Sequence, residues 1–286
     1  MTSIAPRAGA SQPPRSVAPR KGNRLLGLLR ATDHRTIARR ARLAAFVPLI
    51  DGSRREIRLQ PIVDLATAAT VGYEALSRFT DVTGVARCPE DVFAQATELG
   101  LGVRLEQAAA VAALAVLPDL PPGSYLSVNF SPRALLEPAT ADLLLSGPTG
   151  QLTDRIVVEV TEHEEVRDYA ALLAVLNRLR GHGIRLAIDD TGAGFASLQH
   201  VTRLAPDIIK LDSAFVRDID RDLGRRAVAR ALIGCATETG AVLVAEGIET
   251  SAEADQLRAL GAQLGQGYHL GRPRPPAALM SLSLTP

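Results

Sequence analysis

Lysine is almost missing from this chain of 286 residues: of its 32 basic residues, only Lys21 and Lys210 are lysines. A lysine kept at position 210, inside the folded region, must do something there that a guanidinium does not. Cysteine is as scarce. Cys88 and Cys235 are too few for a disulfide framework and too far apart for a zinc cluster, so free thiols, buried or half-buried, are expected in a reducing compartment. No apolar run approaches the ~20 residues that span a bilayer. Arg7, Arg15 and Arg20 are not followed by the continuous apolar core of a secretory signal, so a cytoplasmic protein is expected. A dominant charge sign is also lacking. The formal net charge of +1 offers no global attraction to DNA or an anionic membrane, and an anionic ligand needs a local site.

What is present is ordinary for a globular protein: 47% apolar and 22% charged residues, in a length that suits one α/β barrel. Residues 1–33 are rich in Pro, Ser, Gly and Arg and hold no acidic residue before Asp33, which reads as a disordered basic arm open to a protein partner. Residues 34–286 read as the folded domain. A helix is expected over 36–46, followed by strands at 57–63, 71–75, 124–129, 155–160, 184–189, 208–211, 241–245 and near Leu264. Helical stretches lie between them at 90–117, 133–145, 167–182, 196–203, 225–239 and 252–260. Eight strands separated by helices predict a (β/α)8 barrel, with an open doubly wound sheet as the alternative.

The informative residues stand where these strands close. Glu74, Asn129, Glu159, the pair Asp189-Asp190, Lys210, Glu246 and Gln266 occupy seven consecutive strand ends. A single polar residue in such a place is commonly a helix cap, but seven in succession are not all caps. A carboxylate closing an apolar strand is costly unless it is paired or metal-bound. In a barrel these ends converge on one face, the face that carries active sites. Five carboxylates, two amides and one lysine would then meet. Such hard oxygen donors suit Mg²⁺ or Mn²⁺, and their number suits two ions bridged by one carboxylate. Two ions of this kind clamp the attacking and leaving oxygens of a phosphate ester.

Order and spacing add a resemblance. Glu74-Ala75-Leu76-Ser77-Arg78, preceded by Gln60-Pro61-Ile62-Val63-Asp64, resembles the signature of the EAL family of cyclic di-GMP phosphodiesterases. The likeness continues through Val128-Asn129-Phe130-Ser131, Glu159-Val160-Thr161-Glu162, Asp189-Asp190-Thr191-Gly192-Ala193-Gly194 and Ile209-Lys210-Leu211-Asp212. It ends with Ala245-Glu246-Gly247-Ile248-Glu249 and Gln266-Gly267-Tyr268. The resemblance implies a modified TIM barrel with one antiparallel strand, a homodimer, and hydrolysis of cyclic di-GMP to linear pGpG. It implies that Glu74, Asn129, Glu159 and Asp189 ligate one ion, and that Asp189, Asp190 and Glu246 hold the second. Lys210, Glu246 and Gln266 would serve the attacking water, while Arg78, Gln60 and Leu76 would contact substrate. Glu162 would anchor the loop that holds Asp190. Glu249 either supports the ligands from behind or caps the helix near Ser251.

One loop departs from the family pattern. Thr191, Ala193 and Phe195 stand where an aromatic, a threonine and a tyrosine are usual, and Ser213 replaces a common arginine. These departures keep open a second reading, a catalytically silent receptor for cyclic di-GMP or a protein-interaction module. Of the histidines, His34, His163, His182 and His200 are expected in solvent, and His269 near the pocket.

Overall fold

The computed structural model describes residues 22–146, 152–160, 166–191 and 195–280, without the side chains of 22–35, 195–198 and 280. Its nine strands are β1 (Arg55–Asp64), β2 (Thr70–Thr80), β3 (Ala86–Arg87), β4 (Tyr125–Phe130), β5 (Ile156–Val160), β6 (Arg185–Thr191), β7 (Ile208–Leu211), β8 (Val242–Ala245) and β9 (Leu264–Gly265). The sheet order is β1-β9-β8-β7-β6-β5-β4-β2-β3, and a further β1–β2 pairing closes eight strands into a barrel with β3 outside it. All eight expected strands are present. From β2 through β4 to β9 the barrel strands run parallel, whereas β1 is antiparallel to both of its neighbours.

The direction of β1 has a local cause. Only five residues separate β1 from β2, too few for a parallel crossover, so the two strands form a hairpin. The Asp64 carboxylate stabilises the turn by accepting from the Ala66 and Thr67 amides at 2.9 and 2.8 Å.

Two expected helices are each split. Instead of one helix over 90–117 there are Pro89–Glu98 and Gly102–Leu114, with Gly100 between them at φ 77°. The stretch 133–145 forms Pro132–Leu136 and Pro138–Ser146, because Pro138 cannot continue the ladder and Glu137 before it is extended, ψ 122°. The first helix is longer than expected, Gly22–Ile50. Chain contacts divide the molecule between Ala45 and Phe46. Within the first unit Thr36 to Arg42 are exposed, and within the second Phe46 and Leu49 are buried. No helix among the described residues is long and apolar enough to cross a membrane.

Alternation along the strands builds the interior. Ile156, Val158 and Val160 of β5 pack outward against helices, while Val157 points into the barrel beside Ala187, Ile208, Val244 and Leu264. Each of these inward residues stands two positions before a candidate site residue: Glu159, Asp189, Lys210, Glu246 and Gln266 respectively. The strand period of two therefore sets the polar groups directly above an apolar plug. Two expectations about burial also fail. His200 is 2% exposed and meets the Tyr169 hydroxyl at 2.8 Å, because its helix turns it toward the body rather than to water. Cys88 lies on the surface, just before the helix at Pro89.

Candidate active site

Lys210 is the hub. Its side chain is 2% exposed, and Nζ lies 2.7 Å from Glu246 Oε1, 2.8 Å from Glu159 Oε2, 2.9 Å from Asp189 Oδ1 and 3.6 Å from Glu74 Oε2. A long guanidinium would not fit this enclosed point contact with four carboxylates. Around it, Asn129 Nδ2 donates to Glu74 Oε1 at 2.8 Å and Gln266 Nε2 donates to Glu74 Oε2 at 2.7 Å. Gln266 Nε2 also reaches Gln60 Oε1 at 3.2 Å, and Gln60 donates to the Gly271 carbonyl at 3.2 Å. Glu74, Asn129, Glu159, Asp189, Lys210, Glu246, Gln266 and Gln60 thus form one connected network at the barrel rim.

Asp190 joins it through an irregular backbone. Adjacent strand residues normally face opposite sides of a sheet. Here the β6–β7 register shifts between Ile188 and Thr191, and Asp190 takes φ 52°, a left-handed conformation unusual outside glycine. Ligand atoms of Asp189, Asp190 and Glu246 consequently all lie within 4.8 Å of one another.

The electrostatics are severe. Burial pushes the Glu159 carboxyl up to about 8, and burial likewise raises Glu246 well above the usual carboxylate range despite its contact with Lys210. For Lys210 burial acts in the opposite direction, but Asp189, Glu159, Glu246 and Glu74 outweigh it and hold the ammonium well above its ordinary value. One ammonium does not balance five carboxylates. Two amide oxygens in the network, Asn129 Oδ1 and Gln266 Oε1, are buried with no hydrogen-bond donor. Orphaned acceptors beside unbalanced carboxylates are a donor set that fits hard divalent cations. The surroundings supply no general attraction for an anion: residues 1–50 hold ten of the 32 basic residues and one of the 31 acidic ones, leaving the remainder net acidic.

Arg78 and Leu76 follow Glu74 on the same face of β2, half-buried, and Arg78 Nη1 donates to the Ser77 carbonyl at 2.9 Å. Arg78 forms no ion pair with a carboxylate among the described residues. Glu249 stands apart. Its carboxylate is 3.6 Å from Arg217 Nη2, and the helix Ser251–Leu260 is capped by Thr250 with Glu253 instead. Glu162, His163 and the stretch from Gly192 to Gly194 lie outside the described residues. His269 is exposed and lines a cleft with Asp64 and Arg258.

Sequence reasoning missed Ser127. Its hydroxyl, in a residue 1% exposed, donates to Glu159 Oε1. The available signal was a lone polar residue two positions before Asn129 in the strand Tyr125–Phe130.

The EAL domain family model matches residues 42–273. A protein of Caulobacter vibrioides described as an uncharacterized signaling protein is 34% identical over 225 residues, which cover 78% of this chain and 28% of the relative. The chain thus spans under a third of that relative's length. The cyclic di-GMP complex of the PaMucR phosphodiesterase superposes with a TM-score of 0.75 at 26% identity, covering 84% of this chain and 99% of that one. The manganese and cyclic di-GMP complex of Klebsiella pneumoniae BlrP1 at pH 9.0 is 34% identical with a TM-score of 0.65, covering 78% and 56%.

Proposed function

The chain belongs to the EAL domain family, and from that premise we propose that it hydrolyses cyclic di-GMP to linear pGpG at the rim of its barrel. The observation that carries this reading is the Lys210 ammonium held within 2.9 Å of Glu159, Asp189 and Glu246. In this reading Glu74, Asn129, Glu159 and Asp189 hold one divalent cation, and Asp189, Asp190 and Glu246 hold a second. Bound there, Mg²⁺ or Mn²⁺ would lower the pKa of a water and neutralise charge gathering on the phosphate.

The protein's own groups supply the rest. Lys210 stays charged at neutral pH, so it serves as a donor that orients the attacking water and not as the base that deprotonates it. Gln266, tied to both Glu74 and Gln60, keeps the rim network in register. Arg78, without a carboxylate partner among the described residues, offers its guanidinium to a substrate phosphate, with Gln60 and Leu76 beside the same face. The apolar plug beneath the carboxylates keeps their lower side dry, which strengthens every charge contact above it.

Incubating the purified chain with cyclic di-GMP and Mg²⁺, Mn²⁺ or Ca²⁺ in parallel tests the proposal. Product pGpG is expected with Mg²⁺ or Mn²⁺. Calorimetric binding of cyclic di-GMP without product under every condition would overturn hydrolysis and establish the receptor reading that the altered loop after Asp190 left open. A homodimer belongs to the same proposal, and light scattering at catalytic concentration checks it.

A further inference from the structure

Among the inward-facing residues that stand two positions before Asn129, Glu159, Asp189, Lys210, Glu246 and Gln266, five are apolar. The exception is Ser127, on β4. A hydroxyl buried to 1% exposure at this level needs a partner, and it has one: it donates to Glu159 Oε1. The other oxygen of the same carboxylate, Oε2, accepts from Lys210 Nζ at 2.8 Å. Glu159 is 1% exposed, so it has no water to turn toward. Its last torsion is intrinsically soft, with a broad two-fold profile, and the pair of opposed donors is what sets it.

We propose that Ser127 is a positioning residue for the metal site: by occupying Oε1 it commits Glu159 to offer a single oxygen, Oε2, to the cation cluster. This rests on the reading that the carboxylates take divalent cations. The register supports the geometry. Asn129 and Glu159 are direct partners across β4 and β5, as are Ser127 and Val157, so Ser127 stands diagonally below Glu159 on the neighbouring strand. From there its hydroxyl reaches Glu159 from beneath, while Asn129, with its orphaned Oδ1, stands level with it. A carboxylate free to rotate could bind one ion through both oxygens and weaken its hold on Lys210. Hydrogen bonds behind a ligating group restrict this freedom, and their loss typically costs about 10–100-fold in metal affinity.

The test is calorimetric titration of Mn²⁺ into the full chain and into Ser127→Ala and Ser127→Thr, with thermal melts of the metal-free proteins as the control for folding. Ser127→Ala is expected to weaken Mn²⁺ binding by about 10–100-fold, and Ser127→Thr, which keeps the hydroxyl, to stay within about threefold of the parent. In turnover, Ser127→Ala should raise the Mn²⁺ concentration for half-maximal rate and leave the KM for cyclic di-GMP unchanged. Parent-like Mn²⁺ affinity in Ser127→Ala would overturn the role of Ser127 alone. No Mn²⁺ binding by the parent chain would overturn the metal reading and this inference together. If Ser127→Ala does not fold, Ser127→Cys, which keeps the volume with a weaker donor, replaces it with the same two outcomes.

Discussion

Lys210 on β7 and Glu246, just past β8, meet across neighbouring strands with Nζ 2.7 Å from Oε1. The contact brings a cation whose own strand is apolar against a carboxylate whose own strand is apolar, and Glu159 and Asp189 close round the same nitrogen. A buried ion cluster of this kind stabilises little by comparison with apolar packing, but removing one member leaves charge uncompensated.

Lys210→Met keeps the length and apolar stem and removes the charge. Turnover is expected to fall by at least ~100-fold, and the metal-free protein to lose about 3–5 kcal/mol in a denaturant melt. Lys210→Arg should not restore the rate, because a planar guanidinium does not reproduce a point donor among three oxygens. Parent-like turnover in the arginine variant would sink the assigned role.

The metal-free protein should lose stability as pH rises through the carboxylate window. Glu159 is pushed up to about 8 by burial and Glu246 is raised in the same direction, so the folded chain keeps protons that the unfolded chain has released. The stabilisation is complete below the unfolded carboxylate value of about 4.3 and is lost progressively as pH climbs toward about 8. Lys210 stays charged throughout that window. Urea melts in the presence of a chelator, taken from pH ~5 to ~9, measure the slope. Mn²⁺ binding should release protons and tighten over the same range.

Asp190 combines a carboxylate grouped with those of Asp189 and Glu246 with a strained backbone, φ 52°. Asparagine tolerates this region and alanine does not. Asp190→Asn should therefore keep the parent melting temperature and lose metal affinity. Asp190→Ala should lose both, with a cost of about 1 kcal/mol, or ~2–4 °C. Equal melting temperatures for the two variants would contradict the strain.

Gly267 sits where two site loops touch. Ile248 donates its amide to the Gln266 carbonyl and receives the His269 amide, both at 3.0 Å. A Cβ at position 267 would fall on the Ile248 carbonyl oxygen and amide nitrogen, backbone atoms that do not yield. Gly267→Ala should force apart the loops carrying Glu246 and Gln266, lowering the melting temperature by several degrees and abolishing turnover. A variant with the parent's melting temperature and rate would refute the close packing.

Much of the fold was legible because the barrel strands are short and apolar, and such runs bounded by polar residues announce themselves. The antiparallel direction of β1 came from the family resemblance alone, because the strand count does not carry it. Gly100 and Pro138 carried the signal for the helix breaks, whereas β3, only two residues long, carried no periodicity. His200 was misread because burial of a helix face depends on what packs there, not on the composition beside it.

The sequence by itself determined which donor types close each strand, the rarity of lysine, and the apolar residues two positions beneath them. Tertiary structure decided what those groups do to one another. Glu74 and Gln266 are 192 residues apart and Lys210 and Glu159 are 51 apart, so their contacts exist only once the barrel closes. The shared side of Asp189 and Asp190, the burial of Lys210 and the hold of Ser127 on Glu159 follow from register and a left-handed turn. A strict period of two along the strand would set Asp189 and Asp190 on opposite faces, and the register shift with the left-handed turn at Asp190 overrides it.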